Sequence, residues 1–301
     1  MKLCFAADLH GRSTLYKQLY DLITTELPGA LILGGDQCPL AFGPTAEVQQ
    51  RTWLETIFRA FLEALAPICP VYWNSGNHDL AAMFDTLAKF EHEGQLFLCD
   101  MKSHPIGENV YLTGFPYGPI SGWPLADWAL LDEGQSLQDW QDTVYATLHG
   151  HLTQARMSDT LAARPSLSRK MAELEVEDSS ASILVCHYPP FGSGLDLNPF
   201  EHSVGSRALA SYIAGHNYPL SLHGHVHEAP YLCGHWVRRG SETASVNPGQ
   251  WGDKLHAIVF EWPNPAHTLR HTLFGHTWRV EAKYDAISMR KELEMKWNLV
   301  R

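Results

Sequence analysis

KLCFAADLH, residues 2–10, is a short apolar run that ends in a carboxylate and an imidazole. The same arrangement returns in ALILGGD, residues 30–36, and in PVYWNSGNHD, residues 70–79. Short apolar runs that stop at glycine and polar residues are typical of buried β-strands. They predict strands over Lys2–Ala7, Ala30–Gly34 and Pro70–Asn74. Each predicted strand is followed at once by side chains that are able to bind a metal ion.

Amphipathic stretches lie between the predicted strands. Their apolar residues recur at helical spacing, as in Trp53, Ile57 and Phe61. Helices are predicted over Ser13–Glu26, Ala46–Ala66, Ala81–Glu93 and Tyr284–Arg301. Further strands are predicted over Gln95–Cys99, Val110–Gly114, Ile183–His187 and Leu220–His223, and short strands across residues 230–274 with turns at Gly234, Pro248 and Asn264. This alternation is typical of an α/β fold with a parallel sheet.

Segment 118–180 departs from that alternation. It opens with closely spaced prolines and glycines, contains Trp123, Trp128 and Trp140, and continues as a polar stretch that predicts a helix to Glu177. A length of 301 residues admits two domains, but single α/β domains of this length are common. We expect residues 1–301 to form one domain that carries segment 118–180 as an insertion or lid.

The composition is that of a globular chain with an acidic balance, because 45% of the residues are hydrophobic and the formal net charge is −11. This charge disfavours a nucleic-acid polymer as a partner. The apolar run before Asp8 is too short for a signal peptide, and prolines interrupt the longer uncharged stretches, so we expect a cytoplasmic protein without a membrane span. Six cysteines without a CxxC pair favour reduced thiols over disulfides or a cysteine-bound zinc.

Histidine is unusually frequent, with 17 copies, and several histidines stand at predicted strand ends beside carboxylates. In open α/β sheets, the loops beyond the carboxyl ends of the strands meet in one crevice. The metal-binding side chains at these strand ends are Asp8 and His10, then Asp36, then Asn77, His78 and Asp79, then His187, and finally His223, His225 and His227. Such a set without a thiolate suits Mn²⁺, Fe²⁺ or Fe³⁺, Zn²⁺ or Ni²⁺. A lone aspartate at a strand end is more often a turn or cap residue, so only the combination indicates a site.

Five sequence blocks stand in order along the chain: Asp8-Leu-His10, Gly35-Asp36, Gly76-Asn-His-Asp79, His187 and Gly224-His-Val-His227. In these blocks the chain resembles the calcineurin-like metallophosphoesterases, whose signature is DxH, GD, GNH followed by D or E, a lone histidine, and GHxH. The resemblance extends from residue 3 to about residue 250, outside segment 118–180. It implies a two-sheet β-sandwich flanked by helices, and metal-dependent hydrolysis of a small phosphoester. The turn Asn247-Pro-Gly249 is similar to one in the small prokaryotic phosphodiesterase branch.

The resemblance also implies which seven of these residues bind two divalent ions and how they are divided between them. One ion would be held by Asp8, His10, Asp36 and His227, and the other by Asp36, Asn77, His187 and His225. Asp36 would bridge the ions, because two cations about 3.5–4 Å apart need an anion between them. A hydroxide shared by the ions would attack phosphorus in line.

Three further residues are candidates for catalysis or for binding the substrate. His78 is expected to stabilise or protonate the leaving oxygen, and Asp79 to fix the tautomer of that imidazole and raise its pKa. Arg12 stands at the predicted start of the first helix and would contact a phosphate oxygen. A solvated arginine at a helix start is an equal alternative for Arg12. Asn77 and His78 complete the candidate substrate-binding set.

Other histidines and the tryptophans have a structural interpretation. His223 is expected to pack beside the site or to support a ligand. His149-Gly-His151 and Gly275-His276 resemble fragments of GHxH, but the first falls in a predicted helix and the second lacks its second histidine. We therefore assign both to the surface or to packing. The tryptophans of segment 118–180 are expected to pack in the core or lid rather than to stack on bases.

The motifs also narrow the reaction class. They lack the arginine that follows GD in protein serine/threonine phosphatases, and His10 and His78 exclude the purple acid phosphatase and lipid A hydrolase patterns. We expect phosphodiester rather than phosphomonoester hydrolysis, because Arg12 is the only cation near a candidate ligand in sequence. The alternative is a catalytically weak scaffold of this fold that binds a protein partner through the aromatic insert, although such scaffolds usually lose ligands. A nuclease conflicts with the net charge of −11.

Overall fold

The computed structural model describes residues 1–139, 142–176, 178–281 and 286–298. In these ranges the strands are β1 Lys2–Ala6, β2 Ala30–Gly34, β3 Val71–Asn74, β4 Phe97–Leu98, β5 Ser103–Gly107, β6 Val110–Phe115, β7 Thr143–Leu148, β8 His151–Arg156, β9 Ser182–Cys186, β10 Leu220–Leu222, β11 Val237–Arg239, β12 Ala244–Val246, β13 Ala257–Glu261 and β14 Arg270–His271. The helices are α1 Ser13–Glu26, α2 Ala46–Trp53, α3 Arg59–Leu65, α4 Phe84–His92, α5 Met157–Ala162, α6 Leu167–Met171, α7 Arg207–Ala214, α8 Ala229–Cys233, α9 Pro265–Thr268 and α10 Ala286–Asn298.

Two six-stranded mixed sheets form the centre of the fold. The first has the strand order β14-β13-β1-β2-β3-β4 and the second the order β11-β12-β10-β9-β6-β5. Strands β1 to β4 pair in parallel, and β13 and β14 extend them in antiparallel pairing. In the second sheet, β6, β9, β10 and β12 are parallel, and β5 and β11 are antiparallel edges. Strands that pair in parallel, as predicted, thus make up four of the six strands of each mixed sheet.

The two sheets pack face to face, and β1 shows why its sequence is apolar throughout. Leu3 and Phe5 belong to a buried cluster that includes residues of β9 and β10 in the other sheet. Cys4 and Ala6 point the other way and belong to a cluster with residues of α1 and α3. Because both faces of this strand are covered, alternation with polar residues is lost.

Helices also cover the outer face of the second sheet. Phe115, Leu184 and Cys186 pack with residues of α6 and α7 in a third buried cluster. Helices therefore lie on both outer faces of a pair of stacked sheets. The predicted two-sheet β-sandwich flanked by helices is confirmed.

Several predicted element bounds need correction. The predicted helix Ala46–Ala66 is divided into α2 and α3 by a π-helical turn at Leu54–Phe58, and Ala81–Glu93 begins with a 3₁₀ turn at Ala81–Met83. The predicted strand Gln95–Cys99 is shortened to β4. Residues 230–274 contain, besides short strands, helices α8 and α9, each with a proline in its first turn. Helix α10 matches part of Tyr284–Arg301, and the remaining residues lie outside the described ranges.

Segment 118–180 contains a β-hairpin where a polar helix was predicted. β7 pairs with β8 in antiparallel register, and the turn between them is His149-Gly150, with φ of 52° and 86°. The His149–His151 motif is therefore at a hairpin turn and not in a helix. In β7 the buried residues alternate with exposed ones, as Val144 and Ala146 show, and this two-residue period was the missed signal. Trp140 and Glu177 lie outside the described residues.

The described part of the chain contains no helix that is both long and apolar enough to cross a membrane. The six cysteines are all free, and all but Cys233 are buried. This agrees with the expectation of reduced, mostly buried thiols.

Candidate metal centre

Loops that follow β1, β2, β3, β9 and β10 converge at one place. The N–H of Asp8 donates to the carbonyl of Gly35 at 3.0 Å, so the first two loops stay paired beyond their strands. The N–H of Gly224 donates to the carbonyl of His187 at 2.8 Å and pairs the last two. Backbone hydrogen bonds thus fix the loops that carry the predicted ligands.

Four of the seven predicted ligands have a left-handed backbone. The φ angle is 60° at Asp8, 47° at His10, 56° at Asp36 and 67° at His225. Residues with a side chain rarely adopt this conformation, which costs energy and concentrates at functional sites. The paired loops must therefore hold these residues in place.

Asp8, His10 and His227 form a first group of potential metal ligands. Nε2 of His227 lies 3.2 Å from Oδ1 of Asp8 and 3.3 Å from Nε2 of His10. Two imidazole nitrogens that face each other at this distance, beside a carboxylate, fit a shared cation.

Asp8, Asp36 and His187 form a second group, so Asp8 is common to both. Nε2 of His187 lies 3.3 Å from Oδ2 of Asp36 and 3.7 Å from Oδ1 of Asp8. Nδ1 of His187 is 2.9 Å from the carbonyl of Gly34, which leaves Nε2 as the potential ligand atom.

Asn77 and His225 stand beside the second group. Oδ1 of Asn77 lies 2.8 Å from Nδ1 of His225, and the His225 ring centroid is 5.4 Å from that of His187. All seven residues predicted as ligands are therefore gathered in one place, although their roles as ligands remain a prediction.

The charges at the cluster of candidate ligands favour bound cations. Asp8 and Asp36 are each 1% exposed, and the ion-pair partners found for them among the described residues are all histidines. Burial opposes ionisation of Asp36, but the charges of His187 and His78 hold the pKa of that carboxyl well below its usual range. Burial also opposes protonation of His187, but Asp36 outweighs it and raises the pKa of His187 to about 9.

Unpartnered buried atoms point the same way. Within the described residues, Nδ1 of His10 and Nε2 of His187 are buried without a hydrogen-bond partner. Buried carboxylates that lack a lysine or arginine, next to imidazole nitrogens that lack a hydrogen bond, are costly unless a cation joins them. The residues present therefore fit divalent metal ions.

Two glycines of the motifs lie directly against the carboxylates of Asp8 and Asp36. A Cβ atom on Gly224 would lie 2.5 Å from Oδ2 of Asp8, and one on Gly76 would meet Oδ1 of Asp36 still more closely. Close approach therefore requires glycine at both positions, which explains the glycines of the GNH and GHxH blocks.

The sequence profile of the calcineurin-like phosphoesterases matches residues 1–229, more than half of the chain. The chain belongs to this family. The family depends on a dinuclear metal centre, and the protein is accordingly a metal-dependent phosphoester hydrolase. A comparison with curated protein sequences found no match.

Solved structures extend the likeness in fold. One crystal structure is 13% identical with a TM-score of 0.54, and the match covers 90% of this chain and 97% of the other. The protein TT1561 of Thermus thermophilus is 14% identical with a TM-score of 0.50 and the same coverage. A dimetal phosphatase from Danio rerio is 11% identical with a TM-score of 0.49, over 86% of this chain and 92% of the other. At such identities, the likeness concerns the fold alone.

In this phosphoesterase, His78 lies directly beside the candidate ligands. The backbone N–H of His78 donates to Oδ1 of Asp36 at 2.8 Å, and the imidazole Nε2 lies 4.0 Å from Oδ2 of Asp36. Burial lowers the pKa of His78, which is opposite to the predicted direction. Contact with a leaving oxygen remains a prediction for this imidazole.

The predicted contact between Asp79 and the His78 imidazole is wrong. Oδ1 of Asp79 accepts hydrogen bonds from the N–H groups of Gln37 and Cys38 at 3.0 and 2.8 Å, and Oδ2 accepts one from Gly76 at 3.0 Å. Burial raises the pKa of Asp79 to about 7. Because three backbone donors occupy its carboxyl group, Asp79 ties the GNHD loop to the GD loop.

Arg12 also differs from its predicted role. Its Nη1 donates to the carbonyl of Gly252 at 2.9 Å, and its Nη2 contacts Oδ1 of Asp253 at 2.5 Å. It flanks the start of α1 and is not among the described residues that line the cavity at the metal centre. The structural alternative, an exposed arginine at a helix start, describes Arg12 better than a phosphate contact.

His223 has the supporting position expected of it. It is fully buried, with Nδ1 at 2.9 Å from the carbonyl of Cys186 and Nε2 at 2.9 Å from Oγ of Ser221. Because both ring nitrogens are engaged, His223 joins the ends of β9 and β10. His276 is likewise a packing residue, with Nδ1 at 3.1 Å from the carbonyl of Leu269.

Asn247 is a site residue that the sequence analysis interpreted only as part of a turn. Its side chain is fully buried, and Oδ1 accepts a hydrogen bond from the N–H of Gly249 at 2.9 Å. Its Nδ2 donates to three carbonyls, those of Leu195, Gly224 and Val226. One amide thus fixes the backbone of the GHxH block, and a buried asparagine before Pro-Gly was the available signal.

A cavity of about 1090 Å³ opens onto the candidate ligands. His10, Asp36 and His225 line one side, and residues 119–121, 123 and 132–135 of segment 118–180 line another. The segment therefore lies beside the metal centre. Its action as a lid remains a prediction.

The tryptophans of segment 118–180 differ from one another. Trp128 is buried and its Nε1 donates to the carbonyl of Asp79 at 2.6 Å, as expected for packing. Trp123 instead lines the cavity, with its ring centroid 5.0 Å from that of His78.

Arg207 also lines the cavity, with its guanidinium 3.6 Å from the centroid of Phe191. Sequence reasoning missed Arg207 because it lies far along the chain from every candidate ligand.

Proposed function

We propose that this phosphoesterase hydrolyses phosphodiesters in preference to phosphomonoesters. The two ligand groups that share Asp8 support metal-dependent hydrolysis here, and the acidic lining of the cavity beside them supports the preference for diesters. The proposed ligands are Asp8, His10, Asp36, Asn77, His187, His225 and His227.

The distances from Asp36 support its proposed role as a bridge between the two ions. Oδ2 of Asp36 lies 3.9 Å from Nε2 of His10 and 3.3 Å from Nε2 of His187, two histidines assigned to different ions. Asp36 is therefore suited to bridge them, and the shared Asp8 adds a second negative charge between the groups. Two divalent ions bound there would lower the pKa of a water molecule and neutralise the phosphoryl oxygens.

His78 has the position of a residue that acts on the leaving oxygen. Its backbone is tied to Asp36, so its imidazole is held at the rim of the ligand cluster and lines the cavity. We propose that its Nε2 donates a hydrogen bond or a proton to the oxygen that departs from phosphorus.

The charges of the cavity favour a diester. Arg207 is the only lysine or arginine among its described lining residues, whereas Asp132, Glu133 and Glu228 are acidic. A phosphomonoester dianion carries one more negative charge than a diester, so these carboxylates repel it more strongly.

The test compares bis(p-nitrophenyl) phosphate with p-nitrophenyl phosphate, which release the same leaving group, in the presence of Mn²⁺. We expect the higher kcat/KM for the diester. A higher value for the monoester would overturn the proposed preference. Turnover of neither ester would favour the scaffold alternative.

A second test separates catalysis from metal binding. His78→Ala is expected to keep both metal sites yet lose on the order of 10²–10⁴ in kcat, the usual range for a positioned proton donor. Asp36→Asn is the contrasting variant and is expected to lose metal. If His78→Ala slows an ester with an activated leaving group as much as one with a poor leaving group, the proton-donor role is wrong.

The remaining proposals concern organisation and location. We propose that residues 1–301 form one domain in which segment 118–180 covers the cavity as a lid, that Mn²⁺ supports activity, and that the protein acts in the cytoplasm. The hydrogen bond from Trp128 to the carbonyl of Asp79 supports the first of these, because it joins the segment to the GNHD loop.

A further inference from the structure

An aromatic wall made of Phe42, His78 and Trp123 stands at the side of the metal centre. The ring centroids of Phe42 and Trp123 are 5.9 Å apart with an interplanar angle of 9°, which is an offset stack. The His78 ring lies 5.6 Å from Phe42 and 5.0 Å from Trp123, edge-on to both. His78 and Trp123 line the cavity, so an occupant of the cavity meets this wall.

The aromatic wall begins beside the proposed metal ligands and continues along the cavity. Nε2 of His78 is 4.0 Å from Oδ2 of Asp36, the proposed bridging ligand, and Trp123 is the next ring outward from His78. If the leaving oxygen faces His78, the group attached to that oxygen extends toward Trp123. We propose that Trp123 selects phosphoesters whose substituent is a flat aromatic ring, either an aryl group or a nucleobase. This inference rests on the proposed function and names its substrate class.

The position of Trp123 is fixed before a ligand binds. The carbonyl of the next residue, Pro124, accepts a hydrogen bond from the N–H of Tyr145 at 2.8 Å, and Leu125 forms a bridge with the same residue of β7. Phe42 supports the ring from the core side, since it packs against the buried cluster around α1 and α3. A ring held in this way stacks on a ligand at little entropic cost.

The charges of the cavity favour an uncharged ring over a second anionic group. Asp132, Glu133 and Glu228 line the cavity against the single Arg207 of its described lining. The carboxylate of Asp132 accepts hydrogen bonds from the backbone N–H groups of Arg207 and Ala208, at 2.7 and 3.0 Å, so it is held in the lining of the cavity. A bisphosphorylated or polyanionic substituent would meet this acidic lining, whereas an aryl ring or a base would not.

The experiment uses phenylphosphonate and cyclohexylphosphonate, which match in size and charge but differ in the flatness and π-electrons of the ring. Neither has a scissile phosphoester bond, so calorimetric titration of the Mn²⁺-loaded protein measures binding alone. Aromatic pairs contribute beyond simple burial of area, so we expect phenylphosphonate to bind about 2- to 10-fold more tightly. A second arm compares AMP with ribose 5-phosphate as inhibitors of p-nitrophenyl ester hydrolysis and tells a nucleobase from a simple aryl group.

Variants assign any preference to one residue. Trp123→Leu is expected to bring the two phosphonates to equal affinity, and Trp123→Phe to keep most of the preference because it keeps a flat ring. Trp278→Leu is the matched control, since Trp278 stacks under Arg239 and is not among the described cavity-lining residues. In this control, the ratio of the affinities for the two phosphonates is expected to equal that of the unmodified protein.

Equal affinities in the unmodified protein, or an unchanged ratio in Trp123→Leu, would overturn the inference. Loss of the preference for phenylphosphonate in Trp123→Phe would overturn it as well, because a flat ring would then not suffice. The phosphonates report on the wall even if monoesters prove to be the better substrates. Failure of the diester preference and failure of the role of Trp123 are therefore told apart.

Discussion

One added methyl group at Gly224 is expected to damage the metal centre while the fold survives. The Cβ atom of Gly224→Ala would lie 2.5 Å from Oδ2 of Asp8 and 2.8 Å from Cβ of Ala7. The φ angle of Gly224 is outside the left-handed region, so alanine fits the backbone and the clash alone decides the outcome. An ordinary contact requires the carboxylate to move by roughly 0.5–1 Å.

Such a movement is large for a metal ligand. The Asp8 carboxylate is held by the N–H of His225 at 3.1 and 3.0 Å and lies 3.2 Å from Nε2 of His227. Metal–ligand distances are set to within about 0.2 Å, so we expect Mn²⁺ affinity to fall by about 10- to 100-fold or more. The free energy of unfolding of the metal-free protein should fall by only about 1–3 kcal/mol, the usual cost of overpacking.

The assay is calorimetric titration of Mn²⁺ into protein stripped of metal with a chelator, beside urea denaturation of the same samples. Gly215→Ala is the matched control, because its Cβ would meet no atom closer than 3.6 Å and its φ is −89°. The control should bind Mn²⁺ like the unmodified protein and should unfold at the same or a slightly higher urea concentration. If Gly224→Ala binds two Mn²⁺ ions with unchanged affinity, the close approach of Gly224 to Asp8 does not matter and the reasoning is refuted.

Two further predictions test residues whose roles the fold revealed. Arg12→Ala is expected to keep kcat/KM for a phosphodiester within about 3-fold, because an exposed pair such as Arg12 with Asp253 is worth little and Arg12 is not among the described residues that line the cavity; a loss of tenfold or more in a steady-state assay would restore a substrate contact. Asn247→Asp is expected to lower the free energy of unfolding by about 3–5 kcal/mol, because it replaces a buried amide that donates to three carbonyls with a group that cannot donate. Urea denaturation measures it against the exposed control Asn217→Asp, and a loss similar to that of the control would contradict the role of Asn247.

The elements that sequence predicted best have a clear hydrophobic pattern, either buried throughout, as in β2, or buried along one face, as in α1. Strand β2 and helix α1 have the predicted bounds, and β1 differs by one residue. The hairpin of β7 and β8 was missed because its alternation is short and polar, and the surrounding composition favoured a helix. Its inward residues Val144 and Ala146 join a small cluster of their own within segment 118–180 rather than the core of the sandwich.

The predicted metal ligands came together because they stand at strand ends, and parallel strands deliver their carboxyl ends to one crevice. Residues just outside that pattern were misjudged. Asp79 follows His78 in sequence, but its carboxyl group is occupied by three backbone N–H groups of two loops. Arg12 follows His10 but is drawn to Asp253, more than two hundred residues away along the chain.

The sequence by itself determined the alternation of strands and helices and the five motif blocks, because hydrophobic periodicity and motif spacing are local properties of the chain. The family resemblance of those blocks then implied the sandwich and the seven candidate ligands. Only the tertiary structure decided which way the intervening side chains point. Trp123 and Arg207 border the cavity, and Asn247 fixes the GHxH backbone, through contacts with residues distant in sequence. The direction of a loop side chain depends on the hydrogen-bond partners and packing surfaces that the folded chain brings near it, and no local pattern records those partners.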